Sequence, residues 1–300
     1  MTGPGCSGPL PFNPEDEMNQ PRDRVVVGID GSDAAINAAK WAVAEAISLD
    51  IPLRLIHAIP ELQPDRPAGD ESLDIEYGET VLRAACAALH SIGEQVKIEA
   101  ELVHGSPKNV LVDESRNAAL VCIGSIGLGQ LASRVLGSTA DSVAQKAHCP
   151  VAVIRSSREA GALPSGWIAV VVDESPDNDA VLEYGFREAR LRDAPILALG
   201  VWRWGFGEIP YQRLDHRLGR WVAQYPEVHV RPAAARHGVA AFLRSTTESV
   251  RLAVVRSSDA GNVAGIVGPI SAHFGHTGCS VLVVRDEYED DLGRAGATPQ

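Results

Sequence analysis

Two clusters of small and hydroxyl residues carry the chemistry of this sequence. The first is Gly124-Ser125-Ile126-Gly127-Leu128-Gly129-Gln130, followed after Arg134 by Gly137-Ser138-Thr139. Glycines let backbone N–H groups approach an anion without a Cβ in the way. Gly137-Ser138-Thr139 opens an apolar helical segment (Val143, Ala144, Ala147), whose positive end and free N–H groups suit an anion, with two hydroxyls added. This is phosphate-cradle chemistry, although a tight strand-to-helix turn would need glycines too. It is not a P-loop, because no Gly-Lys-Ser/Thr is present. The second cluster is Asp30-Gly31-Ser32. Ser32 can cap a helix, and Asp30 is either a turn residue or an acceptor for a ligand's ring or sugar.

Short β-branched runs at about 24–30, 52–59, 96–103, 119–124 and 150–155 must place these clusters. Helical spacing lies between them. Ile36, Ala39, Val43 and Ala46 share one helix face, and Val81, Ala85, Leu89 and Ile92 share another. A further helix starts near Pro107, a favoured first-turn residue. Val25-Val26-Val27 is apolar on both faces, so its strand lies inside a covered sheet. Alternating strands and helices of this kind imply an α/β fold with a doubly wound, mostly parallel sheet. In such a sheet ligands bind beyond the carboxyl ends of the strands. Both clusters follow a strand, the first and the fourth.

The chain also repeats itself. Arg24-Val25-Val26-Val27-Gly28-Ile29-Asp30-Gly31-Ser32 returns as Ile168-Ala169-Val170-Val171-Val172-Asp173-Glu174-Ser175. Ile51-Pro52-Leu53-Arg54-Leu55 returns near Ala194-Pro195-Ile196-Leu197, and Cys149-Pro150-Val151 to Arg155 returns as Cys279-Ser280-Val281 to Arg285. The unit is about 130 residues long. The expected organisation is a flexible tail at 1–22, a first domain at 23–156, a linker at 157–166, a second domain at 167–286 and an acidic tail at 287–300. Each domain carries a five-stranded sheet. In the second they run near 168–173, 195–202, 227–234, 251–256 and 280–285.

The 300 residues fit two domains of ordinary globular composition, 45% hydrophobic and 22% charged. The net charge of −12 argues against a general grip on nucleic acid or anionic lipid, and no apolar run is long enough to span a membrane. The five cysteines are scattered without a Cys-x-x-Cys pair. Cys86, Cys122 and Cys279 sit in apolar stretches and are expected as buried thiols of a reducing, cytoplasmic protein. The N-terminal stretch, rich in Pro and Gly, does not look like a signal peptide.

Gly124-x-x-Gly127, nine residues, then Gly137-Ser138 resembles the G-2x-G-9x-G-(S/T) signature of the ATP-binding branch of the universal stress protein family. Val27-Gly28-Ile29-Asp30-Gly31-Ser32 and His148-Cys149-Pro150-Val151 resemble it as well, over about residues 22–286 as tandem domains. The resemblance implies a Rossmann-like fold and ATP at the ends of strands one and four. Asp30 would face adenine and ribose, with Gly28 close by, and the backbone at Ala58 would meet the adenine edge. Gly124, Gly127, Gly129 and Gln130, with Ser125, Ile126 and Leu128 between them, would line ribose and phosphates. Gly137, Ser138 and Thr139 would hold the phosphates, and Ser32 completes the set. A Mg2+ ion would bridge phosphate oxygens, although no carboxylate cluster marks its place.

The second copy keeps Asp173 and Ser175 but reads Ser257-Ser258-Asp259 where the glycine loop begins, and Gly268-Pro269 where Gly137-Ser138 stands. Proline brings neither N–H nor hydroxyl, so weak or absent nucleotide binding is expected there. His273-x-x-His276 lacks a third ligand in sight, and Trp202, Trp204 and Trp221 read as core packing rather than an interaction surface. Arg134 has two readings, γ-phosphate or a neighbouring chain. The leading function is an ATP-binding regulator of stress adaptation. The alternatives are a slow ATP hydrolase or nucleotidyl transferase, which would need a positioned base, and a scaffold that binds no nucleotide. The two copies are expected to pair through strands 150–155 and 280–285, because edges need covering, and whole chains could dimerise further.

Overall fold

The computed structural model describes residues 22–61, 68–93, 95–127, 136–155, 166–201, 210–268 and 279–285. Leu128, Gly129, Gln130, Arg134, Trp202, Trp204, Pro269, His273 and His276 lie outside these residues, as do residues 1–21, 157–165 and 287–300.

The first half contains β1 (Val25–Gly28), α1 (Asp33–Leu49), β2 (Leu53–Ile59), α2 (Ala68–His90), β3 (Ile98–His104), α3 (Pro107–Glu114), β4 (Leu120–Gly124), α4 (Ser138–Lys146) and β5 (Val151–Ile154). The second contains β6 (Trp167–Val172), α5 (Asn178–Leu191), β7 (Ile196–Gly200), α6 (Pro210–Gln224), β8 (Val230–Ala234), α7 (Val239–Ser245), β9 (Val250–Arg256), a 3-10 turn (Ser257–Asn262), α8 (Val263–Val267) and β10 (Ser280–Val284). Strands and helices alternate as their hydrophobic periods demand. Val25, Val26 and Val27 are fully buried, which fits a strand covered on both faces.

The strand order is β3-β2-β1-β4-β5-β10-β9-β6-β7-β8. Within each half all neighbours are parallel. β5 and β10 run antiparallel, with Val153 opposite Val281 and Val151 opposite Val283. The two five-stranded sheets expected from the repeat are therefore one continuous ten-stranded sheet. In each half the order reverses between the first and fourth strands, β1 beside β4 and β6 beside β9. A ligand crevice opens at such a point.

Two expectations need correction. The second helix ends at His90, so Ile92 lies past its end and is 42% exposed rather than on the buried face. Gly93 follows with φ +80°, a conformation that turns the chain out of the helix. Cys86 is only half-buried, while Cys122, Cys149 and Cys279 are buried. Burial is the main cause that pushes the Cys149 thiol up to about 12 and raises Cys279 further. Trp221 does join the core, stacked on Phe186 at 6.0 Å.

A buried ionic cluster also ties the halves together. Arg192 reaches Glu188 Oε2 through Nε at 2.8 Å and bonds Glu45 Oε1 through Nη2. Its guanidinium lies 4.1 Å from the centre of the Trp41 ring. Glu45 and Glu188 are both fully buried. Burial, and then the charge of Glu188, raise the Glu45 carboxyl to about 8.

Candidate functional site

The first-half crevice is built from four strand and helix ends. β1 ends at Gly28, whose lack of a side chain leaves room for Leu111; a Cβ there would stand 2.8 Å from Leu111 Cδ1. The chain then turns at Gly31, with φ +87°, into α1. Ser32 caps this helix, its Oγ accepting from the Ala35 N–H at 3.2 Å. The Ser32 N–H and hydroxyl both donate to Asp30 Oδ1, at 2.9 and 2.6 Å. This clasp fixes the Asp30 side chain at the rim of the cavity.

β4 delivers the glycine cluster. A Cβ at Gly124 would lie 2.7 Å from the Ala34 carbonyl carbon and 2.8 Å from the Ala35 nitrogen. Glycine is therefore what lets α1 begin against the end of β4. A Cβ at Gly127 would stand 2.4 Å from Asp30 Oδ2. The two clusters seen in the sequence thus meet in space. Beyond the glycines, α4 starts with Gly137 at its N-cap in extended conformation, and no side chain caps its first turn. The Gly137 N–H donates to the Ser125 carbonyl at 2.8 Å. The first N–H groups of α4 lack intrahelical partners, as at every helix start, and form the positive end of its dipole.

These parts enclose a cavity of about 210 Å³. Gly28, Asp30, Ser32, Ala58, Gly124, Ile126, Gly127, Gly137, Ser138 and Thr139 all line it. Ser125 does not; its side chain is buried and it serves the wall through its carbonyl. Leu128, Gly129 and Gln130 lie outside the described residues. The reading missed Ile56, His57, Leu111 and Ile123, which also line the cavity. Ile56, Leu111 and Ile123 give it apolar walls, beside the polar groups of Asp30, Ser32, Ser138 and Thr139. His57 neighbours Ala58 on β2, and its Nδ1 sits 2.7 Å from the Ile29 carbonyl, which fixes that nitrogen as the protonated one. Its position next to an expected backbone contact was the available signal.

The second half repeats the clasp but sets an arginine against it. Ser175 donates to Asp173 Oδ1 from its N–H at 2.8 Å and from its hydroxyl at 2.6 Å. Register then identifies the residue facing it. Cys122 pairs with Val27, and Val254 with Val170, so Arg256 stands where Gly124 stands. The Arg256 guanidinium lies 3.0 Å from Asp173 Oδ2 and 3.1 Å from Ser175 Oγ. Arg217 donates to the Ser175 carbonyl at 3.0 Å from the other side. The 3-10 turn follows β9 directly. It brings Asp259, whose carboxyl burial raises above the ordinary value. Among the described residues no group of three His, Cys, Asp or Glu is placed to hold a metal ion. No described helix is long and apolar enough to cross a membrane.

Comparison with known proteins gives matches over nearly the whole chain. The profile of the universal stress protein family matches residues 21–155. Universal stress protein Rv2624c of Mycobacterium tuberculosis (strain ATCC 25618 / H37Rv) is 47% identical over 264 residues, covering 87% of this chain and 96% of the relative. Universal stress protein Rv3134c of the same strain is 39% identical over 280 residues, covering 89% and 98%. A universal stress protein from Archaeoglobus fulgidus DSM 4304 superposes with a TM-score of 0.66 at 12% identity, over 91% of this chain and 99% of that one. At that identity the likeness concerns the fold alone.

Proposed function

This chain belongs to the universal stress protein family, and we propose that it is a cytoplasmic regulator that holds ATP mainly in its first domain, residues 23–156, while its second domain, residues 167–286, binds it weakly or not at all. The observation that carries this reading is the convergence of Asp30, Gly127 and the uncapped start of α4 on one cavity with an apolar interior. An adenine ring suits the slot between Ile56, Leu111 and Ile123, beside the backbone of Ala58. Asp30 then accepts from the ribose hydroxyls. The phosphates lie along the N–H groups at Gly127 and Gly137 and the hydroxyls of Ser138 and Thr139, where the helix end favours negative charge. A Mg2+ ion bound with the nucleotide would offset the charge of the phosphates, and the Asp30 carboxylate and the hydroxyls of Ser138 and Thr139 are oxygen donors on the cavity wall that would help hold it.

The residues fit a ligand that is held rather than turned over. Hydrolysis needs a group that orients or activates water at the γ-phosphate. Among the described residues lining the cavity, Asp30 is the one carboxylate, and Ser32 binds its Oδ1 twice. His57 is held at its Nδ1 by the Ile29 carbonyl. In the second domain the Arg256–Asp173 pair occupies the position that a ribose would take in the first. Mass spectrometry of nucleotide that co-purifies with the full chain, with calorimetric titration of ATP, tests the proposal. The expected result is one ATP per chain with negligible phosphate release. Protein that carries no nucleotide and gives no heat with saturating Mg-ATP refutes it.

A further inference from the structure

The helix that starts at the phosphate cradle is finished by a residue from the other half of the molecule. α4 has nine residues, so its start and its last turn are about two turns apart. In a regular continuation the Ala144 carbonyl would accept from the His148 N–H. That N–H instead donates to Ser115 Oγ at 2.9 Å. The Ala147 N–H, the next candidate, donates to the Val143 carbonyl at 3.0 Å. Ala144 is buried, so water does not replace the lost donor. Its carbonyl accepts from Arg285 Nη2, at 2.5 Å, and Arg285 directly follows β10 of the second half. The same helix packs against the 3-10 turn Ser257–Asn262 of that half. A cation at a helix C-terminus also matches the negative end of its dipole.

We propose that Arg285 is a positioning residue for the phosphate cradle, through which the second half sets how tightly the first half grips the phosphate tail of its nucleotide. This rests on the proposed ATP site. Without its terminal donor the last turn of this short helix is held by packing alone, and a small displacement of the helix carries its first turn, with Gly137, Ser138 and Thr139, along with it. The ring slot is built by β2, α3 and β4, which Arg285 does not touch through this bond. The effect therefore falls on the phosphates and spares the nucleoside. Arg155 is the natural control. Its Nη1 donates to the carbonyls of Val267 and Gly268, at 2.5 and 2.6 Å. It thus joins the same two halves without reaching α4.

The test measures ATP and adenosine affinities of the full chain and its variants. Arg285→Met keeps much of the apolar stem and removes the donor. It is expected to weaken ATP at least fivefold while adenosine stays within twofold. Arg285→Lys, whose ammonium still reaches a carbonyl, recovers most of the loss, and Arg155→Met leaves the ratio of the two affinities at the wild-type value. Equal loss of ATP and adenosine in Arg285→Met, or no loss of ATP, overturns the inference, as does the same selective loss in Arg155→Met. If Arg285→Met does not fold, Arg285→Gln carries the same comparison. Wild-type protein that binds adenosine but gains nothing from the phosphates also overturns it. Wild-type protein that binds neither ligand overturns the ATP site itself.

Discussion

An alanine at position 127 places a Cβ 2.4 Å from Asp30 Oδ2, where real Cβ atoms stay at least 3.0 Å from a neighbour. The carboxylate must retreat by about 0.6 Å or rotate, as follows from those two distances. Rotation breaks the clasp with Ser32, because both of its hydrogen bonds end on Oδ1 of the same group. Either way Asp30 loses its pose towards the ribose. A hydrogen bond to a charged group is worth about 1.5–3 kcal/mol. At about 1.4 kcal/mol per decade, Gly127→Ala weakens ATP by roughly ten- to a hundredfold. Stability falls less than a backbone collision would cost, since the contact is with the end of a side chain that can move. Gly124→Ala is the contrasting case. Its Cβ meets the Ala34 and Ala35 backbone, which has no easy way to yield. That variant is expected to lose about 1–3 kcal/mol of stability, seen as a lower urea midpoint. Titration calorimetry paired with urea melts separates the two. ATP binding by Gly127→Ala within twofold of wild type would refute the account of Asp30.

Further outcomes follow from the same geometry. Asp173→Asn leaves the ATP stoichiometry at its wild-type value in calorimetry, because Arg256 already occupies that carboxylate; a lost binding event would sink the proposed role of the Arg256–Asp173 pair. Ser32→Ala removes the α1 cap and costs about 0.5–2 kcal/mol in urea denaturation, and it weakens ATP as well by loosening Asp30. The Glu45 carboxyl is raised from 4.5 to about 8, so between those pH values the folded chain binds a proton that the unfolded chain has lost. Stability therefore falls as pH rises through that window, by up to about 1.4 kcal/mol per unit. Glu45→Gln should flatten this slope in urea melts across the window, and an unchanged slope would assign it elsewhere. Among the described cysteines, Cys86 should react first with a thiol reagent, since Cys122, Cys149 and Cys279 are buried.

The alternation of strands and helices was legible because apolar runs and three-four spacing report burial directly. Val25 to Val27 and the Ala39–Val43–Ala46 face are examples, all buried. The end of the second helix was not legible. Ile92 continues the helical spacing, and periodicity alone does not see a turn through Gly93. The glycines of the candidate site were legible because backbone contact sets their place. Gly124, Gly127 and Gly137 mark places where a side chain would collide or a helix must start bare. Places where distant residues supply the surface were less legible. Leu111 fills the space that Gly28 leaves, and only the fold brings them together. Arg256 was hidden for a related reason. Glycine patterns align the loops, whereas strand register, known only from the sheet, sets Arg256 on the position of Gly124.

The antiparallel seam between β5 and β10 has a directional outcome. Strands in the two halves point opposite ways, so the cavity lined by Asp30 and the Arg256–Asp173 pair lie on opposite margins of the sheet. Each molecule is therefore polar. With ATP bound as proposed, the first margin would change with nucleotide occupancy and the second would not. A binding protein that touches the first margin would sense occupancy. One that docks on the second would hold on regardless, leaving the chain able to tether and to report at once.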